Sequence, residues 1–326
     1  THRYPLRPQH QELPQRNRFR CRRHLVVMSP DPSAIPYALY PETFMDHTAR
    51  TLPLRDGAAI PQMGLGVMYV PEGTLPALMR EAAKVGYRHF DTATVYGNEG
   101  EVGEGLRSLD LDRSEVFVTT KLQDGIHGYD NALRAFDASE KLIGSIDLYL
   151  IHWPQPAKDL YAESWRALVR LQDEGRVRSI GVANFTPEMI DRITAGTGVA
   201  PVINQVELHP RFQQRELRAY NTSKGILTQA WSPLEHGLIL KQKAVIEIAQ
   251  RLGRSAAQVV LRWHIQSGLV VIPKAADAKH LADNFAAWDF ELSEADMTRI
   301  SALDQNQSSF GLDPNVYQSD RGRIEA

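Results

Sequence analysis

Four side chains with proton-transfer chemistry lie at or just after the ends of three consecutive predicted strands. Asp91 ends one apolar run and Tyr96 follows it, while Lys121 and His152 end the next two runs. A tyrosine has an ordinary pKa of about 10, and a neighbouring ammonium group lowers that pKa. Tyr96 beside Lys121 therefore predicts a general acid that can protonate a carbonyl oxygen.

The other two residues complete this interpretation. Asp91 is the anionic partner that would hold Lys121 in place, and His152 can hydrogen-bond the oxygen of a substrate. None of these side chains can supply a hydride, so a second molecule has to deliver it. A single residue of this kind is more often a solvated rim residue, but all four together favour reversible carbonyl reduction.

The elements that must position these residues follow a regular alternation from residue 50 onward. Strands are predicted at residues 63–67, 87–91, 116–121, 147–152, 178–182, 202–207, 226–231 and 269–272. Helices are predicted at residues 74–84, 99–106, 130–142, 161–174, 187–194, 214–224, 245–266 and 277–287. The seventh helical stretch is predicted as two helices, broken at Gly253 with Ser255 as the second N-cap.

This alternation predicts an α/β fold of the (β/α)8 class, a TIM barrel, in which chemistry lies at the carboxyl ends of the strands. A β-hairpin at residues 51–61, with Asp56-Gly57 as its turn, is expected to close the bottom of the barrel. A doubly wound nucleotide-binding fold is the main alternative. It lacks support because the G-x-G beginning at Gly64 has no third glycine at the required spacing.

Composition excludes several classes of protein. The chain has 326 residues, 43% hydrophobic and 23% charged, with a formal net charge of −2, which gives no general case for binding nucleic acid. No apolar run is long enough to span a membrane. Cys21 is the single cysteine, so a disulfide framework or a cysteine-rich metal site is excluded, and we expect a cytoplasmic protein without a metal.

The first 46 residues differ from the rest of the chain. They contain seven arginines and four acidic residues, are rich in proline, and lack apolar periodicity. Such a segment cannot bury enough apolar area to offset its ordering entropy. We therefore predict a disordered leader at residues 1–46 and the barrel at residues 47–326; a targeting peptide and a nucleic-acid arm are the alternatives for the leader.

Three motifs carry a specific resemblance: GYRHFDTATVYGNE at residues 86–99, VFVTTKL at residues 116–122 and DLYLIHWP at residues 147–154. With these motifs the chain resembles the aldo-keto reductase superfamily. The segments GLGVMYVP, NQVELHP, AWSPL and VVLRWH make it most similar to the bacterial 2,5-diketo-D-gluconate reductase group. The resemblance implies a (β/α)8 barrel, NADPH as hydride donor and the same four roles for Asp91, Tyr96, Lys121 and His152. We expect a monomer acting on a small carbonyl compound.

The resemblance also implies where the dinucleotide binds. Asn184 and Gln205 would hold the nicotinamide carboxamide, Trp231 would stack on the nicotinamide ring, and Asn284 would meet the adenine. Ala183 occupies the position of a family serine and cannot donate its hydrogen bond. The full set implied to bind the cofactor is Gly66, Val67, Asp91, Asn184, Gln205, Trp231, Ser232, Pro233, Leu234, Lys274, Ala275, His280 and Asn284.

Two positions in the adenosine-phosphate segment depart from the family pattern. Lys274 still offers a cation for a 2′-phosphate, but Ala275 replaces a serine and His280 stands where an arginine is expected. A histidine lacks the two-pronged donor geometry of arginine. We therefore expect NADPH to be favoured, with NADH as a weaker second donor and less discrimination than in relatives that carry the arginine.

The substrate side departs further. Met68 and Gln123 stand where relatives carry aromatic residues, while Trp153 and His152 remain, which predicts a wider and more polar mouth. Small aldehydes, α-dicarbonyls and keto-sugars all suit such a mouth. Two other functions stay open: a lyase that uses Lys121 as a Schiff-base nucleophile, and a non-catalytic barrel that senses the nucleotide.

Overall fold

The computed structural model describes residues 50–319, and these begin with the predicted hairpin. Strands β1 (Thr51–Pro53) and β2 (Ala59–Pro61) pair antiparallel. Apolar residues of the hairpin pack in one cluster with residues from the barrel strands, and Ser179 Oγ on a barrel strand donates a hydrogen bond to Asp56 Oδ2 at 2.7 Å. The hairpin therefore covers one end of the barrel. The leader predicted for residues 1–46 lies outside the described residues.

Within residues 50–319, eight further strands pair in parallel and in chain order. They are β3 (Leu65–Gly66), β4 (His89–Asp91), β5 (Phe117–Leu122), β6 (Ile146–Ile151), β7 (Val177–Ala183), β8 (Ile203–Glu207), β9 (Leu227–Trp231) and β10 (Val270–Val271). Parallel bridges from Met63 to Val271 and from Gly66 to Lys274 join the first of these strands to the last. The predicted (β/α)8 barrel is confirmed.

Helices follow the strands around the outside of the barrel. They are α1 (Leu75–Val85), α2 (Glu99–Arg107), α3 (Tyr129–Ile143), α4 (Tyr161–Asp173), α5 (Pro187–Thr197), α6 (Arg215–Ser223), α7 (Lys243–Leu252), α8 (Ala256–Gln266), α9 (Ala278–Phe285) and α10 (Glu294–Ser301). None of the helices within residues 50–319 is long and apolar enough to cross a membrane.

Capping residues that can be identified in the sequence determine where α7 ends and where α8 and α10 begin. The break between α7 and α8 is confirmed: Gly253 adopts φ 62°, and Ser255 forms a capping box with Gln258. Helix α10 was not predicted, although Ser293 and Asp296 form the same kind of box at its start. An N-cap serine followed three residues later by a side-chain acceptor was therefore a usable signal for this helix.

The central strands are buried on both faces, as parallel strands covered by helices must be. Every residue of β5 and β6 is buried. Leu148 and Leu150 pack in the cluster shared with the hairpin and the barrel interior, whereas Tyr149 and Ile151 pack in the cluster shared with the surrounding helices. This alternation along β6 points successive side chains to opposite faces and sends its carboxyl end toward the site described below.

Four buried histidines make the stability of this fold sensitive to acid. Burial lowers the pKa of His89, His127 and His264 to about 4 and lowers that of His152 well below its ordinary value. In the unfolded chain a histidine has a pKa of about 6.5, so the unfolded state binds more protons as the pH falls. We predict that the free energy of unfolding drops by about 4 kcal/mol between pH 6.5 and 5.5 on account of these residues.

Urea titrations at a series of pH values measure the slope of the free energy of unfolding against pH. The His127→Leu variant is the matched comparison, because neither ring nitrogen of His127 has a hydrogen-bond partner. Removing such a group should reduce the slope by about a quarter while leaving stability at pH 7.5 unchanged or higher. A free energy of unfolding that stays flat from pH 6.5 to 5.5 would contradict the neutral, buried state of these histidines.

Candidate active site

The carboxyl ends of three adjacent strands bring the proton-transfer residues together. Asp91 is the last residue of β4, Lys121 lies near the end of β5, and His152 directly follows β6. Tyr96 ends a short 3-10 turn, Thr94–Tyr96, that follows β4. Because the strands are parallel, their carboxyl ends meet at one face of the barrel.

Lys121 and Asp91 form a buried ion pair at the centre of this face. Lys121 Nζ donates to Asp91 Oδ1 at 2.5 Å and to the carbonyl oxygen of Thr92 at 2.7 Å. The two charged side chains are only 0% and 2% exposed. Asp91 Oδ2 also accepts hydrogen bonds from Gln205 Nε2 at 2.8 Å and from Gln229 Nε2 at 3.1 Å. Both carboxylate oxygens are therefore satisfied, and the ammonium group is held in one position.

Tyr96 lies against this ammonium group. Lys121 Nζ is 5.3 Å from the centre of the Tyr96 ring, and its positive charge favours the ionised form of the phenol. Burial raises the pKa of Tyr96 above its ordinary value, and the Lys121 charge opposes this rise without cancelling it. The expectation that Lys121 lowers this pKa is right for the direction of its contribution but wrong for the net result, because burial is the larger effect. The phenol therefore keeps its proton at neutral pH.

The state of Lys121 follows from its partners. Burial by itself would lower the pKa of this ammonium, but the negative charge of Asp91 and the hydrogen bonds from the site raise it overall. Lys121 is thus a permanent cation at neutral pH. A fixed cation next to a protonated phenol is the arrangement that stabilises the phenolate left after proton donation.

His152 faces Tyr96 and is neutral. Its ring lies edge-on to the Tyr96 ring with centroids 6.0 Å apart. Burial, reinforced by the Lys121 charge, holds the pKa of His152 well below its usual range. His152 Nδ1 lies 3.8 Å from Asp124 Oδ1. A neutral imidazole has one N–H donor and one acceptor, so His152 can offer a single hydrogen bond to a substrate oxygen without adding a charge.

The residues expected around the nicotinamide also converge. Trp231 Nε1 donates to Asn184 Oδ1 at 2.8 Å, and Asn184 Nδ2 donates to the carbonyl oxygen of His152 at 3.0 Å. The Asn184 amide nitrogen donates to the Gln205 carbonyl oxygen at 2.9 Å. Asn184 has a left-handed backbone with φ 61°, a conformation that asparagine tolerates better than most residues. Ala183, which precedes it, is fully buried in the barrel interior.

The adenosine-phosphate residues lie where β3 meets β10. Lys274 is exposed, and its Nζ donates to the carbonyl oxygen of Tyr69 at 2.9 Å. Asn284 Nδ2 is 3.5 Å from the Lys274 carbonyl oxygen. Ala275, the residue after Lys274, is buried. His280, at the start of α9, is exposed and bonds Asp277 Oδ1 through Nδ1 at 2.9 Å.

Two further residues implied to bind the cofactor have structural roles as well. A Cβ on Gly66 would approach the Ile272 carbonyl oxygen to 3.0 Å, so glycine permits the closure of the barrel there. The Val67 amide nitrogen donates to the Asp91 carbonyl oxygen at 3.1 Å. Ser232, Pro233 and Leu234 form the turn after β9, the neighbour of β10 in the sheet, and Ser232 has φ 51°.

Met68, Gln123 and Trp153 are the residues expected on the substrate side. Met68 is 37% exposed and Gln123 is half-buried, whereas Trp153 is 6% exposed. Trp153 stacks on Tyr317 with ring centroids 4.1 Å apart. Tyr317 belongs to the last described segment of the chain, so this segment contributes a wall to the mouth of the site.

Known proteins resemble the chain over this whole region. Residues 62–305 match the model of the aldo/keto reductase family. The chain belongs to the aldo/keto reductase family. It is 46% identical over 266 residues to an aldo-keto reductase of Mycobacterium sp. (strain JLS), which covers 81% of this chain and 96% of the relative. It is 43% identical over 267 residues to the methylglyoxal reductase DkgA of Escherichia coli (strain K12), again covering 81% and 96%.

A solved structure agrees with these matches. The crystal structure of a Gox0644 mutant in complex with NADPH superposes with a TM-score of 0.79 at 44% identity and covers 83% of this chain and 100% of that one. This aldo/keto reductase is therefore an oxidoreductase, and its resemblance to the diketo-gluconate reductase group is confirmed by the DkgA relatives. In the described part of the reductase, no group of three or more histidine, cysteine, aspartate or glutamate side chains could hold a metal.

Sequence reasoning missed two residues beside the candidate site, Gln229 and Asp124, whereas the segment that ends at Tyr317 was expected to line part of the mouth. Gln229 bonds Asp91, and it lies two positions before Trp231 on β9, so its inward direction follows from strand alternation. Asp124 lies beside His152, and Tyr317 Oη is 3.4 Å from Asp124 Oδ2. No local pattern links Asp124 to Tyr317, because that contact depends on the path of the chain after α10.

Proposed function

We propose that this enzyme reduces small aldehydes, α-dicarbonyls or keto-sugars to alcohols, with NADPH as hydride donor and Tyr96 as general acid. One observation carries the proposal: the Tyr96 phenol lies against a fully buried ammonium group at the carboxyl face of the barrel, with Lys121 Nζ 5.3 Å from the centre of its ring. Family membership and the NADPH complex of a related structure support the cofactor.

In this mechanism each of the four proton-transfer residues has one role. Tyr96 gives its hydroxyl proton to the carbonyl oxygen, which becomes the alcohol oxygen. Lys121 stabilises the phenolate that remains, and Asp91 with its glutamine partners keeps Lys121 in place. Neutral His152 offers its hydrogen bond to the same oxygen and so fixes the orientation of the carbonyl group.

The residues present have the chemistry to hold the dinucleotide. Asn184 and Gln205 present amide groups beside the half-buried indole of Trp231, and Lys274 presents an exposed ammonium group suited to a phosphate. When bound, the nicotinamide supplies the hydride that the side chains lack. Gly66, Val67, Ser232, Pro233, Leu234, Ala275, His280 and Asn284 complete the proposed cofactor site.

We predict only moderate discrimination between NADPH and NADH. Lys274 is one cation for the 2′-phosphate, and His280 is engaged with Asp277 instead of offering a two-pronged arginine. The ratio of kcat/KM for NADPH to that for NADH should stay below about 10³, and His280→Arg should raise it by roughly tenfold. Steady-state kinetics with both dinucleotides measure the ratio. A ratio above about 10³ for the unmodified chain would contradict the account of this segment.

A screen of NADPH consumption over methylglyoxal, nitrobenzaldehyde and keto-sugars tests the proposed function. Turnover of at least one carbonyl compound is the expected result. No NADPH oxidation with any of them, from a protein that still binds NADPH, would favour the nucleotide-sensing alternative. The lyase alternative is disfavoured because Lys121 Nζ is buried, charged and donates to both Asp91 and the Thr92 carbonyl oxygen, so it has no lone pair for a Schiff base.

A monomeric state, a cytoplasmic location and the lack of a nucleic-acid partner remain predictions from the sequence. Deletion of residues 1–45 tests the leader interpretation. Reductase activity should survive the deletion, and its loss would overturn the assignment of that segment as a leader.

A further inference from the structure

A cluster of buried charges lies beside the proposed dinucleotide site and takes no part in the proton transfer. Glu207, His209 and Glu235 are 4%, 0% and 1% exposed, and Arg211 Nη1 donates to Glu235 Oε1 at 2.9 Å. His209 Nε2 is 3.1 Å from Glu207 Oε1. We call these residues together with Ser309 the Glu235 latch. Its carboxylates are expensive to bury and need several hydrogen-bond donors.

Part of that need is met by the segment after α10. Ser308 Oγ donates to Glu207 Oε2 at 2.6 Å, and the Ser309 amide nitrogen donates to Glu207 Oε1 at 2.8 Å. Ser309 Oγ donates to Glu235 Oε1 at 2.5 Å. Two serines from one segment thus donate to carboxylates that end β8 and follow β9, while Glu235 Oε2 has no hydrogen-bond partner. The latch joins three parts of the chain that are distant in sequence.

The latch is continuous with residues of the proposed cofactor site. Phe310, next to Ser309, contacts Trp231 with ring centroids 5.1 Å apart and His236 with centroids 4.9 Å apart. Glu235 directly follows the Ser232–Leu234 turn. Ser232, Glu235 and His236 all have left-handed φ values, of 51°, 49° and 49°. Non-glycine residues keep such values only where surrounding contacts hold them.

We infer that Glu235 and Ser309 are positioning residues for the dinucleotide. They act through the 232–236 turn and through Phe310, which together fix Trp231 and the Ser232–Leu234 backbone of the proposed cofactor site. A turn that is already held in its binding geometry loses less conformational entropy when the ligand binds. The inference rests on the proposed function, since it takes Trp231 and the turn as the dinucleotide site.

The Ser309→Ala variant tests the inference on the full-length protein. Ser309 is itself exposed, so the substitution removes the hydroxyl without opening a core cavity. The Kd for NADPH, measured by quenching of tryptophan fluorescence, should rise about tenfold, and the dissociation rate constant should rise by a similar factor. The single-turnover rate constant for carbonyl reduction at saturating NADPH should stay within about twofold, because the residue does not touch the reacting atoms.

Two variants control for effects unrelated to the latch. Ser179→Ala removes another serine–carboxylate hydrogen bond, 2.7 Å to Asp56, at the hairpin end of the barrel, and should leave the Kd unchanged. Ser309→Thr keeps the hydroxyl and should restore tight binding. If the two latch residues act together, Ser309→Ala should weaken binding little further in a Glu235→Gln background.

The outcomes separate the inference from the proposed function. If the unmodified protein fails to bind NADPH, the proposed function is wrong. If it binds NADPH and Ser309→Ala has the same Kd, the latch does not position the dinucleotide. The inference would also be overturned if the increase in Kd in the double variant equalled the product of the increases caused by Ser309→Ala and Glu235→Gln alone. That result would mean that the two residues act independently.

Discussion

Tyr96→Phe should lower kcat for carbonyl reduction by about 10²- to 10⁴-fold, because it removes the proton donor. The phenylalanine ring keeps the packing against Lys121 and His152 and loses only the hydroxyl oxygen. The Kd for NADPH should therefore stay within about twofold. Stopped-flow measurement of NADPH oxidation gives the rate, and fluorescence titration gives the Kd.

Tyr220→Phe is the matched control for this experiment. Tyr220 also bonds a carboxylate, with its hydroxyl 2.8 Å from Asp191 Oδ1, but it lies on the outer helix α6. Its removal should leave kcat unchanged. If Tyr96→Phe kept more than about a tenth of the kcat of the unmodified enzyme, another group would have to supply the proton.

Lys121→Met should damage both stability and activity. Asp91 is buried and would lose its cationic partner, a change that typically costs about 3–5 kcal/mol. The Tyr96 phenolate would also lose the cation that stabilises it, so kcat should fall by at least about 10²-fold. Urea unfolding and NADPH oxidation measure the two effects on the same preparation.

A second substitution separates these two effects. In the Lys121→Met and Asp91→Asn double variant no charge is left unpaired, while the amide can still bond the side chains of Gln205 and Gln229. Most of the lost stability should return, and the activity should not. Recovery of activity in the double variant would mean that Lys121 only balances Asp91 and does not assist Tyr96.

The sequence was most informative where a local pattern decides the structure. The eight barrel strands, the hairpin and the break at Gly253 were predicted because each depends on residues close together in the chain. The ends of β3 and β10 were predicted too long, since only two residues of each pair in regular strand geometry and single bridges continue the contact. Helix α10 was missed because it follows the last strand–helix unit and adds nothing to the barrel repeat.

The sequence predicted that the four proton-transfer residues lie together, but it did not predict their environment. Residue types and spacing were enough to select Tyr96 and Lys121, yet the net pKa of Tyr96 depends on how deeply the ring is buried. The stacking of Tyr317 on Trp153 and the bond of Ser309 to Glu235 join residues that are far apart in the sequence. Such contacts follow from the tertiary path of the chain, which no short motif encodes.

An isotope-transfer experiment tests the central claim most directly. The enzyme would be given NADPH carrying deuterium at the transferable position of the nicotinamide, together with a nitrobenzaldehyde or another aldehyde that the screen finds to be turned over. The account predicts an alcohol with one deuterium on the former carbonyl carbon and one solvent-derived proton on its oxygen, formed at a rate that depends on the Tyr96 hydroxyl. Alcohol without deuterium on that carbon, or equal rates from the unmodified enzyme and Tyr96→Phe, would contradict it.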